Sequence, residues 1–233
     1  MFDRKPYEPG NQRKDISMNH LLRLGITATL AWSATTHCTA SETHDLSLGG
    51  VIHPTACEIS LNPGAVDYGT VSASYLSDTE LTPLAARPFD VVVSCEQPIL
   101  TSLSFHDNRD GTTGHSSMSD ATWFGLGQFD GKPIGAFQIV RTPTEIVADG
   151  NRIHTIELNP SGTWLQMNAE FPQVSSRSGY RLSWAETGTV PWPFSTIRVP
   201  MAVKPTMLAR KDMPDLTDAV PMDGMVTITL RYM

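Results

Sequence analysis

The chain has 233 residues, 40% of them hydrophobic, which is enough to bury one or two cores. Its formal net charge of −7 argues against a nucleic acid or an anionic membrane surface as a partner. Seventeen glycines and seventeen prolines, scattered without a period, favour many short strands and turns over long helices.

The first 40 residues differ in character from the rest of the chain. A polar stretch and one arginine precede an apolar run from Leu24 to Trp32, which is too short to span a bilayer. A basic flank, a short apolar run and small residues before a cleavage point are typical of a secretory signal peptide. We therefore predict a signal peptide at residues 1–40, cleaved after Ala40, with Met18 as an alternative start. A buried N-terminal helix and a lipid anchor at Cys38 are the alternatives.

The predicted export of the chain determines how its cysteines are interpreted. Of the three in the sequence, Cys38 lies in the predicted signal peptide, which leaves Cys57 and Cys95. An even number of cysteines in an exported chain indicates a disulfide, and closing this loop would stabilise the fold by roughly 4 kcal/mol. The alternative is two separate buried thiols. Two cysteines alone cannot complete a metal site, so we predict no metal and no cofactor.

After residue 41 no stretch keeps a helical period over three turns. Short runs of alternating or β-branched residues recur instead, with turn residues such as Asp110-Gly111 between them. This pattern predicts an all-β protein built as an antiparallel sandwich, and it requires no second domain. The runs before the terminal strand are 89–95, 99–105, 134–140, 152–158, 180–184 and 196–203.

Both ends of the predicted mature chain carry apolar strand patterns. The C-terminal strand alternates polar residues with four apolar ones, namely Val226, Ile228, Leu230 and Tyr232. Near the start, a second alternating series has a glycine in place of one apolar side chain. Its members are Leu46, Leu48, Gly50 and Ile52. Because glycine weakens a strand, it indicates either a bulge or turn, or a deliberate gap in a strand that is exchanged.

Six segments follow one another along the chain: GGVIHPTACEISL, VDYGTVSASYL, FDVVVSCEQP, HDNRDGT, WFGLG with PIGAF, and VPMDGMVTITLRYM. In this order, and behind a signal peptide, they resemble bacterial fimbrial subunits of the chaperone–usher class. The likeness is to the beta-fimbria-type subunits, long described only as a domain of unknown function. The resemblance covers nearly all of residues 46–233 and is weakest at 141–195.

The resemblance implies an incomplete immunoglobulin-like sandwich that lacks its last strand. Residues 41–53 would be an N-terminal extension with the donor strand, and residues 54–233 the pilin-like sandwich. In such subunits the C-terminal strand, with an aromatic at its penultimate position, borders a groove that accepts a strand from a partner. The accepting residues would be Gly224, Val226, Ile228, Leu230 and Tyr232, and the donor residues Leu46, Leu48, Gly50 and Ile52.

The same resemblance implies that Cys57 and Cys95 tie the first strand to the second. Its partners would be a periplasmic chaperone, an outer-membrane usher and neighbouring subunits in a head-to-tail polymer. The chain would pass through the periplasm to the cell surface. There it would act as a structural fimbrial subunit that supports adhesion, without enzymatic activity.

The sequence also suggests alternative functions. In a tip adhesin, Trp184 and Trp192 could form an aromatic platform for a glycan. A secreted hydrolase needs a nucleophile or paired carboxylates, and the cluster at 106–115 matches no such spacing. Arg109 stands where a calcium loop needs an oxygen ligand, so we predict a solvated loop there. A periplasmic chaperone would need two complete domains and a basic cleft, which an acidic chain of this kind does not offer.

Overall fold

The fold is known from a computed structural model of the chain. The residues that it describes are 56–142, 145–167, 170 and 172–233. They belong to one compact unit, Val51–Met233. The predicted signal peptide at 1–40 and the predicted donor extension at 41–53 lie outside the described residues. Within the described part, no helix has the length and apolar character needed to cross a membrane.

The described residues are almost entirely strands and loops, which confirms the predicted all-β class. Helical structure among them consists of 3-10 turns at Ala73–Tyr75, Ser116–Met118 and Arg210–Asp212. The strands are β1 (Cys57–Asn62), β2 (Thr82–Pro83), β3 (Arg87–Ile99), β4 (Thr101–Asp107), β5 (Phe124–Gly125), β6 (Gln128–Phe129), β7 (Lys132–Pro133), β8 (Gly135–Arg141), β9 (Ile146–Ala148), β10 (Asn151–Leu158), β11 (Trp164–Gln166), β12 (Arg181–Ala185), β13 (Phe194–Met207) and β14 (Val226–Tyr232).

The strands pair in antiparallel fashion and form a nearly closed sandwich, as the sequence predicts. The main path of hydrogen-bonded neighbours is β1-β3-β13-β9-β10-β12-β4-β14. The long strand β13 also pairs with β2 and β8, β5 pairs with β8, and β11 pairs with β10. β6 and β7 form a separate hairpin. The path therefore has two ends, β1 and β14, which come from opposite ends of the described chain.

The core follows the two-residue period of the strands. Val91 and Val93 of β3 and Leu103 of β4 are fully buried, and each such side chain stabilises the fold by about 1.5–3 kcal/mol. β14 presents alternate side chains to this core, because Val226, Ile228 and Leu230 pack against it while Thr227 and Thr229 are exposed. Tyr232, at the end of the strand, is half exposed. The alternation predicted for the C-terminal strand is therefore confirmed for Val226, Ile228 and Leu230 and does not extend to Tyr232.

The predicted disulfide between Cys57 and Cys95 is present, and the alternative of two separate thiols is wrong. The two residues lie directly opposite each other in the antiparallel register of β1 and β3, with their Cα atoms 4.0 Å apart. The bond therefore fixes the beginning of β1 to β3 at one end of the sandwich.

Candidate functional site

The candidate site lies between the two ends of the strand path. The Tyr232 hydroxyl of β14 accepts a hydrogen bond from the backbone N–H of Cys57 in β1, at 3.0 Å. At their other ends, Leu61 of β1 and Val226 and Ile228 of β14 line one cavity. The two strands therefore flank a common gap and run in opposite directions. We call the gap between β1 and β14 the seam.

Hydrogen bonds that flank β14 show which of its backbone groups face the seam. The Met225 carbonyl accepts from the Asn108 N–H at 3.0 Å, and the Met233 N–H donates to the Leu100 carbonyl at 3.1 Å. Odd-numbered residues of β14 thus bond to β4. Because both backbone groups of a residue point the same way in an antiparallel ladder, the even-numbered residues face the seam. These are Val226, Ile228, Leu230 and Tyr232.

β1 presents its edge to the seam in the same manner. The Glu96 N–H donates to the Ala56 carbonyl at 3.1 Å, so the even-numbered residues of β1 bond to β3. The backbone groups of Cys57, Ile59 and Leu61 consequently point into the seam, and the bond from Cys57 to Tyr232 agrees with this. Among the described residues, neither of these two outer edges pairs with another strand.

A cavity of about 900 Å³ occupies the Val226 end of the seam; most of its lining is apolar, and Asp67 and Asp218 are among its polar residues. This is within the size range of pockets that bury a small ligand or several side chains. Its floor is formed by core side chains, and irregular segments at 63–73 and 218–222 form part of its wall. Core residues that line it include Phe89, Leu126, Ile134, Phe137 and Ile139.

Gly224 lines the mouth of this cavity, just before β14 begins. A Cβ atom at this position would lie 2.7 Å from Cε1 of Phe137 and 3.1 Å from Cδ2 of Leu126. Only glycine therefore allows the backbone to approach these two side chains so closely. Gly224 thus lies two residues before β14, the strand that carries the other four accepting residues implied by the resemblance.

Tyr68 is an ionisable side chain in the cavity wall. Its hydroxyl lies 3.0 Å from the Ala85 carbonyl oxygen and 3.1 Å from that of Val203. Burial raises the pKa of Tyr68, and the Arg87 guanidinium, 4.8 Å from the ring centroid, partly offsets this effect. The phenol is therefore neutral near pH 7.

A polar network that the sequence pattern does not predict holds the beginning of β14. The Asp107 carboxylate accepts from the backbone N–H groups of Arg109 and Gly125, each at 2.8 Å. Arg109 in turn donates from Nη2 to the Asp223 carboxylate at 2.6 Å and from Nε to the Asp223 carbonyl at 2.9 Å. Asp107 is only 5% exposed, so the predicted solvated loop is wrong at this residue.

We expect Asp107→Ala to lower the free energy of unfolding by about 2–4 kcal/mol, because it leaves two backbone donors without an acceptor. The measurement is urea denaturation of the full chain. Asp110→Ala is the matched control, since Asp110 is exposed and should cost at most about 0.5 kcal/mol. Equal losses in the two variants would contradict the role of Asp107.

The two tryptophans of the predicted glycan platform lie in different environments. Trp184 is fully buried and packs edge-to-face on Phe194, with ring centroids 5.6 Å apart. Trp192 is 42% exposed and donates its backbone N–H to the Trp184 carbonyl at 2.8 Å. The residues are neighbours, but the buried ring of Trp184 cannot stack on a sugar in solution. The structure does not bring the two rings together on one exposed face.

The other residues considered as candidates in the sequence do not form a common site among the described residues. His115 caps a 3-10 turn, with Nδ1 2.8 Å from the Ser117 hydroxyl oxygen. Among the described residues, no three side chains of the types His, Cys, Asp and Glu come together in a way that could hold a metal ion. The predicted donor residues Leu46, Leu48, Gly50 and Ile52 lie outside the described residues.

Comparison with known proteins gives a partial match. A family model described as "Protein of unknown function (DUF1120)" matches residues 46–124, about a third of the 233-residue chain. The matched stretch includes β1, β3 and β4, and it stops well before β14. None of the curated proteins matches the sequence. The chain is therefore similar, over its first strands, to a domain whose description gives no activity.

Proposed function

We propose that this chain is a structural subunit of a bacterial surface fimbria assembled by donor-strand exchange. The observation that supports the proposal is the seam, where two strand edges that no other described strand pairs with border a mainly apolar cavity of about 900 Å³. Such an edge is a template for pairing with a strand from another chain. A strand added here would gain backbone hydrogen bonds and also bury side chains, as in other cases of strand addition.

The seam offers hydrogen-bonding groups on both sides. β14 presents the N–H and C=O groups of four residues to the seam. β1 presents those of Ile59 and Leu61 and the Cys57 carbonyl, because the Cys57 N–H bonds to the Tyr232 hydroxyl. Because β1 and β14 run in opposite directions, an inserted strand must be antiparallel to one and parallel to the other. The antiparallel ladder is slightly more stable per residue, and β14 offers the longer edge. We therefore infer a guest strand antiparallel to β14 and parallel to β1.

The segment Leu46–Ile52 has the pattern that such a guest strand needs. Its apolar residues recur every second position, so their side chains would point into the seam together. On this proposal the segment of one subunit fills the seam of the next. Contacts of this type are head-to-tail and need not close, so they build a filament. A periplasmic chaperone would protect the seam before assembly at an outer-membrane usher, and the filament would support adhesion.

The test is a peptide of residues 41–53 added to the full chain carrying Leu48→Asp, which keeps its own segment from competing. We expect a saturable rise in Tm, because a ligand that binds only the folded state adds about 2.7 kcal/mol at 100 times its Kd. The control peptide carries the same Leu48→Asp change and should have no effect. A Tm that is indifferent to the unmodified peptide would rule the proposal out.

A further inference from the structure

Building on the proposed strand insertion, we propose that Tyr232 sets how far a guest strand extends along the seam. Its hydroxyl closes the seam at the Cys57 end, so the guest strand is held to the stretch between Val226 and Leu230. Tyr232 would thus determine the length of strand that the subunit selects.

A hydrogen bond between Tyr232 and Cys57 closes one end of the seam. The Tyr232 side chain is half exposed, yet its hydroxyl reaches across the seam to the Cys57 N–H at 3.0 Å. That N–H is one of the groups that β1 would otherwise offer to a guest strand. Cys57 is also fixed to β3 through its disulfide with Cys95. This end of the seam therefore cannot widen through a movement of Cys57 alone.

The opposite end of the seam, near Val226, is lined by apolar side chains. Leu61, Val226 and Ile228 line the apolar cavity there, and Leu61 is 36% exposed. Between this end and Tyr232, β14 runs from Val226 to Leu230, which is five residues or about 14 Å of extended strand. About five residues of a guest strand can therefore bond to the seam before they meet the Tyr232 side chain.

The chain's own candidate donor is longer than this stretch. The segment Leu46–Ile52 has seven residues, and in the orientation antiparallel to β14 its first residue points toward Tyr232. If Ile52 lies opposite Val226, residues 48–52 lie opposite the stretch Val226–Leu230, and Leu46 falls at Tyr232, beyond that stretch. Leu46 should consequently add little to binding as long as the Tyr232 hydroxyl holds Cys57.

The experiment compares two peptides, residues 48–53 and residues 45–53, on the full chain carrying Leu48→Asp. Binding is followed by fluorescence anisotropy of a label at the peptide C-terminus. With Tyr232 present, we expect the two Kd values to agree within about twofold. With Tyr232→Phe, the longer peptide should bind about tenfold more tightly, since one or two further backbone bonds and Leu46 become available to it.

Two further variants complete the test, one as a control and one that removes the whole Tyr232 ring. Tyr75→Phe is the control, because Tyr75 is 62% exposed, and it should leave the two peptides equal. Tyr232→Ala, which removes the ring as well, should also favour the longer peptide. Equal Kd values in both Tyr232 variants, or a tenfold preference already in the parent protein, would overturn the role of Tyr232 while strand insertion stands. Absence of binding by both peptides to every variant would overturn strand insertion itself.

Discussion

Loss of the Cys57–Cys95 disulfide is expected to lower the free energy of unfolding by about 4 kcal/mol. The bond joins residues separated by 38 positions, and without it the unfolded chain regains the entropy of an open loop. β1 is especially dependent on this link. Among the described residues its inner edge pairs with β3, while its outer edge faces the seam. The disulfide therefore holds an edge strand that has one neighbour instead of two.

The measurement is urea denaturation of the Cys57→Ala/Cys95→Ala double variant, which avoids a reactive single thiol. The parent protein in the presence of a reductant is the matched control and should show a similar loss. Binding of the 41–53 peptide should weaken in parallel, because a frayed β1 no longer presents its edge to the seam. A double variant within about 1 kcal/mol of the parent would contradict this account.

The second large effect is expected at Trp184, for which Trp184→Ala should cost about 3–5 kcal/mol of unfolding free energy. The side chain is fully buried and makes an edge-to-face contact with Phe194. Its indole N–H has no hydrogen-bond partner among the described residues. Trp184→Phe removes that unpartnered donor and keeps an aromatic ring, so we expect a clearly smaller loss than for alanine.

Trp192→Ala is the control for this series, since Trp192 is partly exposed and should cost at most about 1 kcal/mol. Thermal and urea unfolding of the three variants would give the order of the losses. A loss at Trp192 equal to that at Trp184 would contradict the assignment of Trp184 to the core. The comparison also separates a stabilising role of Trp184 from a glycan-binding one, because a glycan platform would affect binding and leave stability nearly unchanged.

Part of the candidate site could be predicted from local pattern. The period of two in the C-terminal strand fixes which residues share a face, and the structure confirms that face for Val226, Ile228 and Leu230. The disulfide follows from the number of cysteines that remain after the predicted cleavage. Both predictions succeed because they depend on strand geometry or on counting, neither of which needs knowledge of distant neighbours.

Burial of individual polar and aromatic residues could not be predicted in the same way. Asp107 lies in a polar stretch, yet its carboxylate is buried because backbone donors from two segments converge on it. Trp184 and Trp192 look alike in sequence, yet Trp184 is in the core and Trp192 partly exposed. Each outcome depends on which distant segment packs against the residue, and that information is not local.

The all-β class, the alternation of the C-terminal strand and the cysteine pair are all visible in the sequence, since they follow from side-chain periodicity and composition. That β1 and β14 lie on either side of one gap is visible only in the folded protein, because the bond between Cys57 and Tyr232 joins residues 175 positions apart. Such a contact forms because the whole strand path curls around one core and brings its two ends together. No local sequence pattern in β1 or in β14 specifies the distance between these two strands.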